Sequence, residues 1–240
     1  PADYLAVTVS CPICRDTGYD GNRLCSCVKR RAAELQKQNL STLLPVDKET
    51  FSTFRLDYYS SQPDSRFGLS PRQMAQANLQ RCHSFAEHFG SSYENLLLFG
   101  SAGLGKTFLS SCIARAVTER GFSVTYDTAI SIFDQYNSVK FRTGDPSVAS
   151  HAVERFRHAD LLIVDDLGTE MPSAFHISCL YDLISRRLMS RKPTILSTNL
   201  LPAELESRYS QAIASRILGE FTQLRFIGSD IRRIRKKQRL

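Results

Sequence analysis

The chain of 240 residues is 42% hydrophobic and 23% charged, a composition that supports one buried core with a small additional module. No apolar run approaches the roughly 18 residues that a membrane-spanning helix needs, and polar residues interrupt the N-terminal stretch where a secretory signal would be apolar. We therefore expect a cytoplasmic protein without membrane contact. Because the chain opens at Pro1 without a methionine, we also expect an upstream segment to have been removed.

The net charge of +7 comes from 31 Lys and Arg against 24 Asp and Glu, and it is unevenly distributed. Basic side chains concentrate in two clusters, one early in the chain and one in the C-terminal tail "IRRIRKKQRL". Their members are Lys29, Arg30, Arg31, Arg232, Arg233, Arg235, Lys236, Lys237 and Arg239. Such clusters favour a polyanionic partner, because lysine and arginine that neutralise phosphates release condensed counterions. The alternative is a solvated tail without a partner.

Four cysteines lie close together in "CPICRDTGYDGNRLCSC", namely Cys11, Cys14, Cys25 and Cys27. A Cys-x2-Cys pair and a Cys-x-Cys pair at this spacing can surround one tetrahedral Zn²⁺, and the intervening glycines permit the turns. Four thiolate ligands leave no position for a reactive water, which indicates a structural site. Two alternatives remain: disulfides, which a reducing compartment disfavours, and a site with one ligand supplied from elsewhere because Cys-x-Cys is an uncommon second pair.

Aromatic residues and a polar loop precede the first regular pattern of the core. Phe51, Phe54 and Tyr58 lie in "FSTFRLDYYS", and the Ser- and Pro-rich stretch after them is typical of a surface loop. Ser70 can cap a helix that has Pro71 at its first position, and the apolar spacing predicts that this helix runs over 71–89.

The stretch "LLLFGSAGLGKTFLSS" carries the most specific pattern of the chain. A buried strand is predicted over 96–99, and the residues after it match the phosphate-loop pattern GxxxxGK[ST], followed by apolar residues at helical spacing. Backbone N–H groups of such a loop face phosphate oxygens, Lys106 reaches the β- and γ-phosphates, and the Thr107 hydroxyl ligates Mg²⁺. The predicted ATP-binding residues are Gly100, Ser101, Ala102, Gly103, Leu104, Gly105, Lys106, Thr107 and Phe108.

Acidic residues follow a second buried strand in "HADLLIVDDLGTE". We predict a strand at 123–128, helices near 129–136 and 148–157, and then a strand at 161–164. The carboxyl end of this last strand delivers Asp165 toward the phosphates as a Mg²⁺ ligand. Asp166 lies where enzymes with such a phosphate loop usually carry a glutamate that positions the attacking water, and its shorter side chain leaves that role open. The alternative is an acidic turn after a strand.

The next apolar strand, predicted over 194–198 after a helix over 174–189, ends at Asn199. An amide at this point can contact both the γ-phosphate and the attacking water, although Asn199 alone is also typical of a turn. The five strands alternate with helices, which predicts an α/β fold with a mostly parallel five-stranded sheet flanked by helices on both faces. After Asn199 the chain has room for one helix, a last strand over 223–228 and a tail, so we expect a helical lid to be rudimentary or absent.

The motifs "GSAGLGKT", "LLIVDDLGTE", "ILSTNL", "SRYSQAIASRIL" and "FIGSDIR" together resemble the AAA+ ATPases of the DnaC/DnaI helicase-loader group, which share their core with the IstB transposition helpers. The resemblance covers about 91–233. It implies a P-loop AAA+ core at 46–240, preceded by a zinc-binding module and linker at 1–45. A zinc module in this place resembles that of DnaI-like loaders, in which the N-terminal region binds the replicative helicase, and IstB-like proteins typically lack it.

The resemblance also implies roles for individual residues. Arg216 is expected to be the arginine finger that reaches a neighbouring subunit's γ-phosphate, and Arg232 the second nucleotide sensor, with Arg233 as its alternative. Phe51, Phe54 and Tyr58 lie where such ATPases pack the adenine, although core packing explains them equally well. DNA contacts are expected on one helix, at Ser131, Gln135, Asn137, Lys140 and Arg142, whose alternative is a solvated face.

The implied function is an ATPase, converting ATP and water to ADP and phosphate, that loads a hexameric replicative DNA helicase onto single-stranded DNA. ATP would favour self-association through the nucleotide site, and hydrolysis would drive release. Two alternatives stay open. One is an IstB-like transposition helper that binds duplex DNA, and the other is a helicase-docking adaptor whose ATPase is vestigial.

Overall fold

The computed structural model describes residues 9–237, so Arg239 of the predicted basic tail lies outside the described residues. A two-stranded antiparallel hairpin with the four cysteines precedes a five-stranded sheet in which every neighbouring pair of strands is parallel. The strands are β1 (Tyr19–Asp20), β2 (Arg23–Leu24), β3 (Leu96–Phe99), β4 (Val124–Thr128), β5 (Leu161–Leu167), β6 (Thr194–Thr198) and β7 (Thr222–Arg225).

Helices cover both faces of this sheet and extend to the C-terminal segment. They are α1 (Ser26–Ser41), α2 (Pro71–Glu87), α3 (Lys106–Glu119), α4 (Ala129–Phe141), α5 (Pro146–His158), α6 (Ala174–Met189), α7 (Pro202–Arg208), α8 (Gln211–Glu220) and α9 (Ile231–Lys237). One apolar cluster joins α4, α5, α6 and α8 to the sheet, and a second joins α2 and α3 to its other face. The predicted α/β fold with a parallel sheet is confirmed. Within residues 9–237, no helix is both long and apolar enough to cross a bilayer.

The strand order β4-β5-β6-β3-β7 brings the three motif-bearing strands side by side. Phe99 pairs with Thr198, and Thr198 pairs with Leu167, so the carboxyl ends of β3, β5 and β6 lie at one edge. These strands read as continuous apolar runs because helices bury both of their faces. The segments that follow them, with the phosphate loop, the aspartates and Asn199, therefore gather at a single place.

Several predicted boundaries were wrong by a few residues. The helix expected over 129–136 continues to Phe141, and the helix expected from residue 148 begins at Pro146 because Asp145 caps it. Strand β5 extends past residue 164 through both aspartates. Helix α2 ends at Glu87 rather than at residue 89.

The segment after Asn199 contains more helix than expected. Pro202 starts α7, and the Ser210 hydroxyl caps α8, so two short helices replace the single predicted one. The basic tail continues as α9, whose first residue, Ile231, donates its N–H to the Gly103 carbonyl at 2.9 Å. The expectation that a helical lid is rudimentary or absent stays a prediction.

The predicted linker forms helix α1, which packs on the core. Gln36 Nε2 donates to the Val124 carbonyl at 2.8 Å, and Leu40 and Leu44 are buried in the same apolar cluster as α3. The domain boundary between residues 45 and 46 stays a prediction. The segment before it is not a flexible linker throughout, because α1 packs on the core.

Candidate functional site

The phosphate loop connects the buried strand β3 to the start of α3. Gly100 has φ +139°, and a Cβ there would lie 2.2 Å from the Phe226 carbonyl oxygen. Gly103 has φ +74°, and a Cβ there would lie 2.0 Å from a carboxylate oxygen of Asp230. Both positions need glycine because the segment between β7 and α9 presses against the loop. The loop is thus shaped by the end of the chain as well as by its own residues.

The Lys106 ammonium group lies at the centre of this loop. Its Nζ donates to the carbonyl oxygens of Gly100 at 2.5 Å and Ser101 at 2.9 Å, and to Asn199 Oδ1 at 2.8 Å. Burial lowers the pKa of Lys106 to about 8, and the carboxylates of Asp165 and Asp166 oppose this shift. The predicted sensor Asn199 therefore contacts the predicted phosphate-binding lysine directly.

Asp165 is held by three donors at the end of β5. Thr107 Oγ1 and the Tyr126 hydroxyl each donate to Asp165 Oδ2 at 2.9 Å, and the Asp166 N–H donates to Oδ1 at 3.0 Å. The aspartate is only 2% exposed, so its orientation is fixed. Oxygen ligands from Thr107 and Asp165 are of the kind that Mg²⁺ prefers, and the two residues already touch. Tyr126 was not foreseen, because its role depends on β4 lying next to β5.

Asp166 differs from its neighbour in both backbone and environment. It has φ +52° at an irregularity of β5 between Val164 and Leu167, and this turn directs it to the cavity beside the phosphate loop. Its carboxylate accepts no hydrogen bond within the described part of the chain. Burial and the nearby Asp165 carboxylate raise the pKa of Asp166, while Lys106 and Arg232 oppose the shift. A carboxylate with free lone pairs and a raised pKa is suited to accept a proton.

A cavity of about 710 Å³ is lined on one side by Lys106, Thr107, Asp166 and Asn199. Its volume lies in the range of small-molecule sites. Its lining includes Glu49, Phe54, Tyr58, Tyr59, Phe108 and Arg232. Phe54 stacks on Tyr59 with a 5.7 Å centroid separation, and Tyr59 donates to the Leu104 carbonyl at 2.9 Å.

The three aromatics predicted near the adenine divide into two groups. Phe54 and Tyr58 line the cavity, whereas Phe51 packs edge-on against His83 and is absent from the lining. Tyr59, which the sequence did not single out, is the buried aromatic that supports the phosphate loop.

The three candidate arginines occupy different places. Arg232 lines the cavity, and its N–H donates to Asp230 Oδ1 at 2.9 Å. Arg233 is not among the lining residues, so of these two arginines only Arg232 faces the cavity. Arg216 lies on α8 outside this cavity, with its guanidinium 4.4 Å from the centre of the Tyr181 ring.

The residues predicted to contact DNA lie on or just after α4, without sharing one free face. Asn137 Oδ1 is 3.2 Å from His176 Nε2, and the Ser131 N–H is taken by the Thr128 cap. Gln135 is half-buried. Lys140 and Arg142 are exposed at the end of the helix, and the Lys140 ammonium lies 3.8 Å from the centre of the Phe175 ring. These two basic side chains are the most accessible of the five.

The four cysteines converge as predicted. Their sulfur atoms all lie within 4.8 Å of one another, with 3.8 Å between Cys11 and Cys25 and 3.5 Å between Cys14 and Cys27. Ligands at the usual Zn–S distance are about 3.8 Å apart around a tetrahedral ion, so the cluster fits zinc. None of the four forms a disulfide. The backbone N–H of Cys14 lowers the pKa of Cys11 to about 7, whereas the hydrogen bond with Cys14 raises the pKa of Cys27 to about 12.

Comparison with known proteins places this site in a family context. A family model described as "IstB-like ATP binding protein" matches residues 64–239. The replicative helicase loader DnaC of Escherichia coli strain K12 is 24% identical over 139 residues, which cover 58% of this chain and 56% of DnaC. A putative ATP-binding protein in an insertion sequence of Mycobacterium tuberculosis is 30% identical over 110 residues, covering 45% of this chain and 42% of that protein.

A crystal structure of the DnaC helicase loader has the same fold. It superimposes with a TM-score of 0.60 at 20% identity, covering 75% of this chain and 97% of the loader chain. The chain spans about half the length of the curated relatives that it matches.

Proposed function

Because the chain belongs to the IstB-like ATP-binding family, we propose that it is an ATPase that loads a hexameric replicative DNA helicase onto single-stranded DNA. The family membership supports ATP binding and, at family level, ATP hydrolysis. The helicase and the DNA strand are the finer part of the proposal, and they draw on the similarity to DnaC. A protein with these partners would act in the cytoplasm.

The observation that carries the ATPase proposal is the pair of contacts between motifs distant in sequence. Lys106 donates a hydrogen bond to Asn199, and Thr107 donates one to Asp165. The side chains that would contact a γ-phosphate and those that would bind a metal ion therefore already lie together. Bound Mg²⁺ would neutralise charge on the β- and γ-phosphates, with Thr107 and Asp165 as its protein ligands. When ATP binds, its phosphate oxygens replace the Gly100 and Ser101 carbonyls as acceptors of the Lys106 ammonium.

In the proposed reaction, a water molecule attacks the γ-phosphorus and the bond to the β–γ bridging oxygen breaks, giving ADP and phosphate. Asp166 accepts the proton of the attacking water, and its raised pKa suits this role. Asn199 orients the γ-phosphate, and Arg232 contacts the nucleotide from α9. Arg216 of one subunit stabilises the transition state in its neighbour. The geometry disfavours a vestigial site, because Lys106, Thr107, Asp165 and Asn199 are intact and in contact.

The loader assignment draws on the four-cysteine module. We propose that Cys11, Cys14, Cys25 and Cys27 hold one structural Zn²⁺ and that this module docks on the helicase. The basic clusters and the exposed Lys140 and Arg142 would contact DNA phosphates. ATP favours a self-associated form on the single strand, and loss of the γ-phosphate contact on hydrolysis favours release of the DNA and the helicase.

The decisive experiment is fluorescence anisotropy of labelled single-stranded and duplex DNA, each with ATP and with ADP, at one stated salt concentration. A loader should bind the single strand more tightly with ATP than with ADP. Addition of purified replicative helicase should then produce a ternary complex on the single strand. Preference for duplex DNA would contradict the loader assignment.

The insertion-sequence relative favours a second function. Its sequence identity to this chain is 30% over 110 aligned residues, compared with 24% over 139 residues for DnaC. Such a protein would assemble on duplex DNA and use the same nucleotide site. The same experiment separates the two proposals, because they differ in the DNA form that they bind and share the ATP chemistry.

A further inference from the structure

Glu49 lines the nucleotide cavity, and its Oε2 atom is buried without a hydrogen bond of good geometry within residues 9–237. The buried Ser111 hydroxyl on α3 lies beside this carboxylate and lowers its pKa as a hydrogen-bond donor, which uses only one of the four lone-pair sites of the carboxylate. A buried acceptor that gains no hydrogen bond costs free energy, and an ionised one costs more than a neutral one. The chain therefore holds an acceptor in this place whose hydrogen-bonding capacity its own residues leave mostly unfilled.

The local backbone fixes Glu49 there. The N–H groups of Lys48 and Glu49 both donate to the Pro45 carbonyl, at 2.9 and 3.0 Å, which closes a tight turn. Val46 beside it is fully buried in the core, so the turn is anchored against the helix that follows the phosphate loop. The turn therefore fixes the backbone from which the Glu49 side chain enters the cavity.

The position of Glu49 relative to the phosphate loop indicates which part of a nucleotide it meets. Ser111, beside the carboxylate, is four residues after Thr107 on α3. One helical turn of about 5.4 Å therefore separates it from the phosphate end of the helix. Phe54 packs against Gly105 and edge-on to Phe108 at the phosphate end of the helix. Because Glu49 and Phe54 line the same cavity as the phosphate loop, a nucleotide with its phosphates on the loop leaves this part of the cavity for its base.

The charges around Glu49 do not supply a partner. Arg235 on α9 and the Ser111 hydroxyl lower the pKa of Glu49, but burial outweighs them and raises it overall. Glu49 forms no ion pair with Lys48 or Arg235 among the described residues. A neutral N–H donor from a ligand would satisfy the carboxylate without adding a second buried charge.

We propose that Glu49 selects the base of the bound nucleotide by accepting a hydrogen bond from the 6-amino group of adenine. A 6-oxo purine presents an acceptor at the same position, so two oxygen atoms with no proton between them would be forced together. A polar site of this kind rejects the mismatched ligand more strongly than an apolar pocket does. The inference rests on the proposed ATP site, and it assigns the base specificity of that site to one residue.

The test compares dissociation constants for ATP and for inosine triphosphate, which differ at the purine 6-position, by competition against a fluorescent ATP analogue. The wild-type protein should prefer ATP by about tenfold to a hundredfold, the range for a hydrogen bond to a charged group. Glu49→Gln should reduce this preference to about threefold or less, because an amide can accept from an amino group or donate to a carbonyl. Glu206→Gln, which removes the same charge from an exposed site on α7, should keep the wild-type preference.

Purine riboside triphosphate, which has hydrogen at the 6-position, provides a measurement that needs no variant. It should bind the wild-type protein more weakly than ATP and more tightly than inosine triphosphate. Equal binding of all three nucleotides, or an unchanged preference in a folded Glu49→Gln protein, would overturn the assignment and leave the ATPase proposal intact. Failure of the wild-type protein to bind ATP at all would overturn both.

Discussion

The Arg216 guanidinium stacks over the Tyr181 ring, with 4.4 Å between its central carbon and the ring centre. Its only hydrogen bond within the described residues is a 3.5 Å contact to the Ala212 carbonyl of the same helix, and no carboxylate pairs with it there. A carboxylate would occupy the N–H groups of the guanidinium fork, whereas an aromatic face leaves them available for phosphate. The contact orients Arg216 between α6 and α8 and keeps its donors free.

We predict that the Tyr181 ring positions Arg216 for a neighbouring subunit. Tyr181→Ala should lower the kcat of the assembled protein about fivefold, since an exposed cation–π contact contributes about 1 kcal/mol. Tyr181→Phe keeps the ring and should stay within about twofold of wild type. Arg216→Ala should lose about 10³-fold if it is the arginine finger. ATP turnover measured against protein concentration checks these values, and equal defects in the two Tyr181 variants would contradict the stacking role.

We predict that Asp166 serves ATP hydrolysis and contributes little to ATP binding. Asp166→Asn removes the proton acceptor and keeps the shape, so kcat should fall about 10²-fold to 10⁴-fold while ATP affinity changes little. Single-turnover hydrolysis together with fluorescent nucleotide binding measures both quantities. Asp134→Asn, an exposed aspartate on α4, serves as the control. A hydrolysis rate unaffected by Asp166→Asn would remove this residue from the mechanism.

The lowered pKa of Lys106 predicts that ATP binding takes up a proton at alkaline pH. In the free protein burial holds this pKa at about 8, opposed by Asp165 and Asp166 and reinforced by Arg232. Phosphate oxygens favour the charged ammonium, so the pKa rises in the complex. Affinity for ATP should therefore fall as pH rises above about 8, by at most about tenfold per pH unit.

Calorimetry at pH 9 in buffers of different ionisation enthalpy measures this uptake, with an expected value between about half and one proton per ATP. Lys106→Arg provides the control, because a guanidinium stays charged at this pH and should take up none. Equal proton uptake by the two proteins would locate the titration elsewhere.

The cysteine cluster predicts one zinc ion per chain in freshly purified, reduced protein. Cys11→Ser should abolish most of the bound metal because it removes one of four sulfur ligands. Cys179→Ala, a cysteine in the core of the sheet domain, should retain it. Elemental analysis gives the ratio, and a metal-free wild-type protein would refute the zinc assignment.

The sequence predicted those parts of the site that lie within a short stretch of chain. Lys106, Thr107 and Asp165 could be placed because glycine spacing and strand ends are local signals. Tyr126 and Tyr59 could not, because each acts through a neighbour distant in sequence, Asp165 for one and Leu104 for the other. The two short helices after Asn199 were also missed, since breaks at Pro202 and Ser210 are weak signals against an apolar pattern.

Arg187 is the clearest residue that local pattern could not reveal, because it looks like one charge on an amphipathic helix. It is only 1% exposed, and its guanidinium donates to the carbonyls of Phe156 at 2.9 Å and Pro193 at 2.7 Å and to Thr194 Oγ1 at 2.9 Å. Burial lowers its pKa to about 10, which keeps it charged at neutral pH. It thereby ties α6 to the segments that enter β5 and β6.

We predict that Arg187→Met lowers the free energy of unfolding by about 3 kcal/mol, because the buried carbonyls lose their donor and a methionine cannot replace it. Arg187→Lys should recover only part of this loss, since one ammonium group cannot reach all the acceptors of a planar fork. Arg186→Met on the same helix removes a charge that is exposed to solvent and should cost less than about 1 kcal/mol. Urea denaturation of the three variants measures these differences, and similar values for positions 186 and 187 would contradict a structural role for the buried arginine.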